Sequence, residues 1–226
     1  MELDCIYLAA GIGRRMGKKI PKQLIRIGGK PIMVYSLETL VKSNLFSRII
    51  ITYPEGYMEE YKKIISHYFV RDFFELVRGG ETRQESVYNA LQKVETDRVV
   101  IHEAARPFVT QNLLNRVISY EEDCVTPVIN VKETVAAGYD YMNKIFKRDE
   151  LKIIQLPQFF NTKILRNAHE MAYQKKLLFT DDSTLVHYFG YKVKFIEGEE
   201  TNIKITTAND LLLAERILFS RELPSE

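Results

Sequence analysis

Residues 4–23 read DCIYLAAGIGRRMGKKIPKQ: an apolar run, Asp4–Ala10, that passes directly into a glycine turn carrying Arg14, Arg15 and, further on, Lys22. The run has the length and composition of a buried strand. Gly11 and Gly13 let the backbone adopt conformations a side chain would forbid, bringing its N–H groups close to an anion. Arg15 and Lys22 add fixed positive charge to the same loop, which is therefore built for a polyphosphate. Its spacing excludes the two commonest phosphate loops. No GxxxxGK[ST] run occurs, and in Gly11–Gly17 the third glycine comes one position too late for a dinucleotide-binding GxGxxG. The Pro21-Lys22 pair and the Gly28-Gly29-Lys30-Pro31 turn, which opens the next helical stretch, distinguish this loop from an ordinary surface turn.

Working outward, short apolar runs alternate with helical patterns. Strands are expected at Asp4–Ala10, Arg48–Tyr53, Phe73–Val77, Arg98–His102 and Cys124–Ile129, and helices at Ile32–Lys42, Tyr57–Tyr68, Gln84–Val94 and Gln111–Tyr120. This alternation predicts an α/β fold, a mainly parallel sheet with helices on both faces. In such sheets ligands bind beyond the carboxyl ends of the strands, where the glycine-arginine loop and the loop after His102 both emerge. Residues 131–156 break the pattern. Gly138-Tyr139-Asp140-Tyr141 reads as a turn between two short extended segments, either a β-arm leaving the core or a hairpin at the sheet edge. Helices return at Thr162–Gln174 and Asp182–Phe189, strands at Lys192–Glu197 and Ile203–Ile205, and a closing helix at Ala208–Phe219. Nothing repeats internally, and the 226 residues form one α/β domain with 131–156 as its appendage.

Composition narrows the functional classes. A hydrophobic fraction of 46% with 27% charged residues is that of an ordinary soluble globule, and a net charge of +2 gives no argument for a nucleic-acid partner. No apolar stretch is long enough to span a bilayer and no leader pattern is present, so a cytoplasmic location is expected. Cys5 and Cys124 sit in apolar strand patterns and read as buried free thiols. The four histidines are scattered, with no two at ligand spacing, which argues against zinc.

Four further polar clusters stand out. Gly79-Gly80-Glu81-Thr82-Arg83-Gln84-Glu85-Ser86 places a double glycine and small polar residues at a helix start, offering free N–H groups and the Ser86 hydroxyl to a base or ribose; a plain helix N-terminus would look similar. His102-Glu103-Ala104-Ala105-Arg106-Pro107 puts a carboxylate at a strand's carboxyl end, where it can hold a metal or orient a substrate, or simply pair with Arg106. Lys147-Arg148-Asp149 is a charge run on the arm. Lys204, in Asn202-Ile203-Lys204-Ile205-Thr206, lies in an apolar β-branched stretch, a costly position for a cation without an anionic partner.

Taken together, AAGIGRRM with PKQ, GG-x-x-R-x-x-S, HEAARPF, the PQFF at Pro157–Phe160, the TDDS at Thr180–Ser183 and NIKIT resemble the cytidylyltransferases that couple CTP to 2-C-methyl-D-erythritol 4-phosphate in non-mevalonate isoprenoid synthesis. Related enzymes that make CDP-ribitol from ribitol 5-phosphate share most of these motifs. The resemblance implies a Rossmann-like nucleotidyltransferase fold, with Ala9, Ala10, Gly11, Gly13, Arg15 and Lys22 around the CTP triphosphate. It places Gly80, Glu81 and Ser86 at the cytosine and ribose, Glu103 at Mg²⁺, Ala104 and Arg106 near the metal and acceptor, and Lys204 at the α-phosphate. Arg15, Lys22 and Lys204 would be catalytic. It also implies a homodimer in which the arm crosses over, so that Arg148 binds the acceptor phosphate of the neighbouring site. Three positions depart from the family pattern: Glu103 replaces an aspartate, Asn130-Val131 an Asp-Thr pair, and Leu156 a threonine, the last two near the acceptor. Two further readings stay open: a transferase of the same α/β type using another base or a sugar 1-phosphate, and a non-catalytic nucleotide-binding relative, for which Asn130, Val131 and Leu156 are the only support.

Overall fold

The computed structural model describes residues 2–12, 20–70 and 73–222. In chain order the first half contains β1 (Asp4–Leu8), a small hairpin of β2 (Arg26–Ile27) and β3 (Lys30–Pro31), α1 (Ile32–Ser43), β4 (Arg48–Tyr53), α2 (Met58–Tyr68), β5 (Phe74–Arg78), α3 (Arg83–Leu91), β6 (Arg98–Glu103), α4 (Gln111–Ile118) and β7 (Cys124–Asn130). The second half adds β8 (Ala136–Gly138), β9 (Met142–Ile145), β10 (Lys152–Ile154), β11 (Gln158–Asn161), α5 (Thr162–Gln174), α6 (Asp182–Tyr188), β12 (Lys194–Glu197) and α7 (Ala208–Glu222).

Eight strands form the central sheet. β1 runs parallel to β4 on one side and to β6 on the other, and β5 extends the parallel set beyond β4. β11 then enters antiparallel between β6 and β7, β10 continues along the same edge of β7, and β12 closes the far edge parallel to β7. The sheet is therefore mixed but mostly parallel, with the antiparallel strands grouped beside β6.

Period-two alternation along β1 assigns its side chains to two cores. Cys5 and Tyr7 pack with Met33, Leu37, Leu113 and Val117 from α1 and α4, whereas Ile6 and Leu8 face Val87, Leu165 and Leu185 from α3, α5 and α6. Helices thus cover both faces, as the alternation predicts. A third cluster, Ile25, Ile27, Ile32, Phe108, Ile205 and Ala214, seats α7 against the small hairpin. Cys5 and Cys124 are buried and unbridged. Among the described residues, no helix is long and apolar enough to cross a membrane.

Two local expectations need correction. Residues 203–205 are not a strand: one backbone bond, from Ile205 N to Ala105 O (2.8 Å), attaches them to the body. Strand β11, by contrast, was expected only as part of a motif. In the 131–156 segment, β8 and β9 pair with each other in a sheet of their own rather than with the edge of the main sheet. Every residue of both strands is exposed. Gly138 is required at the turn, since a Cβ there would lie 2.0 Å from the Tyr141 carbonyl oxygen.

Candidate active site

The carboxyl ends of β1, β4, β5 and β6 surround a cleft of about 1200 Å³. Ala9, Ala10 and Gly11 line it after β1, Gly80, Glu81 and Ser86 after β5, and Glu103 and Ala104 at the end of β6, with Lys22 and Lys204 reaching in from separate segments. Gly13 and Arg15 lie outside the described residues.

Buried polar contacts position this rim. Ala9 N donates to Thr52 Oγ1 (3.0 Å), and Ala104 N donates to Leu8 O (3.0 Å), locking the exits of β1 and β6 together. The Ala9 carbonyl accepts from Gln23 Nε2 and from the Tyr61 hydroxyl. Gln23 is buried, so the glutamine of the Pro-Lys-Gln run ties the Lys22 segment under the end of β1. Lys22 Nζ then donates to Ile205 O at 3.0 Å, next to Lys204. The two lysines, 182 residues apart in sequence, share one cleft.

The Gly79–Ser86 loop differs from the expectation of free donors. Gly79 N–H is taken by Tyr53 O, Gly80 N–H by Ser86 Oγ (3.1 Å), and those of Glu81 and Thr82 by Glu85 Oε2. Ser86 Oγ itself donates to Thr82 O (2.9 Å), so this hydroxyl shapes the loop. The reason is a complete capping box, in which Thr82 and Glu85 satisfy each other's backbone donors. The N–H groups of Gly79, Gly80, Glu81 and Thr82 are therefore engaged within the protein, while the Glu81 and Arg83 side chains line the cleft. Gly79 is glycine by close approach, because a Cβ there would come within 2.2 Å of Ala10 Cβ.

A line of alternating charges runs inward from the cleft. Lys204 Nζ lies 2.6 Å from Glu103 Oε2, Arg83 Nε 2.7 Å from Glu103 Oε1, Arg83 Nη1 2.7 Å from Asp182 Oδ2, and His169 Nε2 2.9 Å from Asp182 Oδ1. Lys204 thus has the anionic partner its apolar surroundings require. Burial alone would raise the Glu103 pKa, but the adjacent charges of Arg83 and Lys204 outweigh it and hold the carboxyl well below the usual range. Asp182 follows the same pattern: burial raises it, and Arg83 followed by the His169 contact brings it below its ordinary value. Neither Arg83 nor Asp182 was assigned a role from the sequence. The arginine of GG-x-x-R-x-x-S and the second aspartate of TDDS were the available signals, but nothing local links residues 99 positions apart.

The two arginines expected at the acceptor occupy different surroundings. Arg106 is buried and does not line the cleft; Nη1 donates to Asn202 O (2.7 Å) and Nη2 to Ile154 O (3.3 Å), bracing the segment that carries Lys204. It does not pair with Glu103 through its side chain either; the two are joined by the turn bond from Arg106 N to Glu103 O. Arg148 lies in a separate depression of about 530 Å³ on the arm side, lined by Asn130, Val131, Lys132, Asp149 and Lys152. Leu156 is buried in the core on the α3 face, so the residue replacing the family threonine presents its side chain to the interior.

A magnesium ion was expected on Glu103. Among the described residues, no three His, Cys, Asp or Glu side chains gather as a metal cage. Magnesium held chiefly by phosphate oxygens and water needs only one or two carboxylates, and Glu103 is a carboxylate facing the cleft. The residues fit an ion of that kind, on condition that Lys204 yields Oε2.

Comparison with known proteins bears on the family and the fold. The family model described as "IspD: 2-C-methyl-D-erythritol 4-phosphate cytidylyltransferase" matches residues 3–220. A protein of that name from Dictyoglomus thermophilum is 39% identical over 226 residues, covering 96% of this chain and 97% of the relative. Another from Clostridium beijerinckii is 37% identical over 218 residues, covering 94% and 96%. Among solved structures, the 4-diphosphocytidyl-2C-methyl-D-erythritol synthase of Anaerococcus prevotii superposes with a TM-score of 0.85 at 29% identity, over 96% of each chain. With the match spanning nearly its whole length, the chain belongs to the 2-C-methyl-D-erythritol 4-phosphate cytidylyltransferase family.

Proposed function

We propose that this protein is a cytidylyltransferase that joins CTP to 2-C-methyl-D-erythritol 4-phosphate, forming the CDP-polyol and releasing pyrophosphate. The observation that carries the reading is the meeting of Lys22 and Lys204 in one cleft at the carboxyl end of β1, with the Lys22 ammonium 3.0 Å from the carbonyl oxygen of Ile205. The names of the relatives supply the substrates.

In this reaction a phosphate oxygen of the acceptor forms a bond to the α-phosphorus of CTP while the bond to pyrophosphate breaks. A phosphate monoester, with a second pKa of about 6, is already largely dianionic at neutral pH, so no general base is needed. The requirement is for preorganised positive charge where two anions meet. Lys22 and Lys204 provide it, together with Arg15 on the glycine loop. Ala9, Ala10, Gly11 and Gly13 would follow the triphosphate, and Gly80, Glu81, Ser86 and Ala104 the nucleoside. Glu103 would hold Mg²⁺, which, when bound, neutralises charge on the triphosphate. Oε2 of Glu103 is also the oxygen that Lys204 faces at 2.6 Å, so the lysine and the ion would share that carboxylate.

Acceptor binding belongs to Arg148, supplied by the arm of a second copy of the chain in a homodimer; Arg106 contributes by fixing the Lys204 segment. The buried free thiols of Cys5 and Cys124 suit a reducing compartment, and we place the reaction in the cytoplasm. The test is pyrophosphate release from CTP with Mg²⁺ and either 2-C-methyl-D-erythritol 4-phosphate or ribitol 5-phosphate, repeated with UTP and GTP. Turnover is expected with CTP and the erythritol phosphate. Preference for the ribitol phosphate would move the chain to the CDP-ribitol branch, and CTP binding without release on either acceptor would make it a non-catalytic relative.

A further inference from the structure

The line of charges behind Lys204 has more parts than the cleft itself requires. Arg83 and Glu103 both line the cleft, their side chains 20% and 8% exposed, and behind them the Asp182 and His169 side chains are both only 1% exposed. A buried carboxylate without a partner is strongly destabilising, so a chain that keeps Asp182 here keeps it with Arg83.

Stapling α3 to the 177–182 segment does not require this pair. The neighbouring Gln84 already does that in neutral form: its Nε2 donates to Leu177 O (3.1 Å) and its Oε1 accepts from Phe179 N (2.7 Å). What the arginine adds is a planar fork with one edge on Glu103 and the other on Asp182, contacts a single lysine ammonium could not reproduce in fixed geometry. Glu103 receives Arg83 on one oxygen and presents the other to Lys204. Lys204 needs such a guide. Its side chain has four rotatable carbons and is 36% exposed. Its segment lies outside the sheet ladder, and the bonds that hold it, from Arg106 to Asn202 O, from Ile205 N to Ala105 O and from Lys22 to Ile205 O, fix the backbone on either side but not the Lys204 side chain.

We infer that Arg83 and Asp182 are positioning residues for the reaction: Asp182 fixes the Arg83 guanidinium, Arg83 fixes the Glu103 carboxylate, and Glu103 determines where the Lys204 ammonium stands before nucleotide arrives. The inference rests on the proposed reading, which makes Lys204 catalytic. It distinguishes this chain of contacts from a purely structural one by how its effects combine.

The experiment uses the full-length protein with Asp182→Asn and Arg83→Lys, each alone and combined with Glu103→Gln, and measures kcat and KM for CTP by pyrophosphate release. Each single variant is expected to lose about 10–100-fold in kcat, the usual effect of removing an outer partner of a site. In the Glu103→Gln background, Asp182→Asn should add no more than about twofold, since its route to Lys204 is already broken. Acetic anhydride labelling of Lys204, read by peptide mass spectrometry, gives an activity-independent signal: it should accelerate severalfold in both single variants as the Glu103 pair loosens. An equal kcat loss in both backgrounds, or unchanged Lys204 labelling, would overturn the inference. So would a loss of folding in both single variants, which would make the pair structural. Absence of pyrophosphate release from the unaltered protein would count against the proposed function instead, while the labelling result would still decide how Lys204 is held.

Discussion

Cations gather in two regions of this molecule, the cleft and the β8–β9 arm, and they are held in different ways. In the cleft, Arg83 and Lys204 face carboxylates that are almost fully buried. On the arm side, Lys147 pairs with Glu150 at 3.3 Å, Arg148 lies 3.9 Å from Asp149, and Lys132 reaches Glu200 at 2.9 Å, with every partner in water. Exposed pairs of this sort contribute little and do not fix a side chain, whereas the buried ones do. The apolar residues divide similarly. Tyr139, Tyr141, Met142 and Ile145 are more than two-thirds exposed on the arm. A two-stranded hairpin is marginal by itself, and apolar side chains grouped on one mark a surface that meets something else. The cleft cations are therefore fixed within one chain, whereas the cations and apolar side chains of the arm are left exposed by it.

The strongest way to break that comparison is at the cleft lysines. Lys22→Ala and Lys204→Ala should each lower turnover by about 10²–10³-fold, the scale of losing one preorganised electrostatic group, with circular dichroism unchanged. Turnover near that of the unaltered protein in either variant would remove that lysine from the chemistry. It would also show that placement within one chain does not identify the working cations.

The same division explains what the sequence disclosed. Strands β1, β4, β6 and β7 were legible because each is a short apolar run whose neighbours are also strands, so local composition and final environment agree. β11 has only Phe159 and Phe160 as an apolar signal, and its place between β6 and β7 is set by partners far away in sequence. Ile203–Ile205 carries the β-branched pattern of a strand because Ile205 is buried against α7, not because it joins the sheet. In the candidate site, glycine turns and isolated cations were visible, since their types are unusual where they occur. Arg83 was readable only as a motif letter, because its meaning comes from Glu103 and Asp182, on two other elements. For Ser86, the residue was legible as part of the cleft, but its hydroxyl bonds are settled by the capping box.

For the arm, the corresponding test is complementation. A chain with Arg148→Ala and a chain with Lys22→Ala should each be nearly inactive alone. Mixed and allowed to exchange, they should recover about a quarter of full turnover, because half the dimers would be hybrids with one intact site each. Mixed dimers demonstrated by mass spectrometry without recovered turnover would place Arg148 outside the shared site. Recovery would establish that the arm's cation gains its role from the neighbouring chain.

The smallest effect is on stability, and it concerns the cleft side. His102 precedes Glu103 on β6, is fully buried, and meets the Arg106 carbonyl oxygen through Nε2 at 2.9 Å. Burial pulls its pKa down from 6.5 to about 4, against the partial support of that hydrogen bond. Between those values the unfolded chain binds more protons than the folded one, so stability falls as pH falls. From about pH 7 to about pH 5 the loss from this group alone should be about 2 kcal/mol, read as a shift of the urea midpoint. His102→Gln, which keeps an N–H for the Arg106 carbonyl, should flatten that slope. Glu103 and Asp182, whose folded-state pKa values are depressed, act in a different window: their contribution is present above the ordinary carboxylate range and is lost as the medium becomes more acidic still. Hydrogen exchange at pH 5 should therefore show loosening at the carboxyl end of β6 with no matching change in β8 and β9. If the His102→Gln slope matches the unaltered protein's, the buried imidazole is not what makes the cleft half acid-sensitive, and the contrast between the two regions would rest on their ion pairs alone.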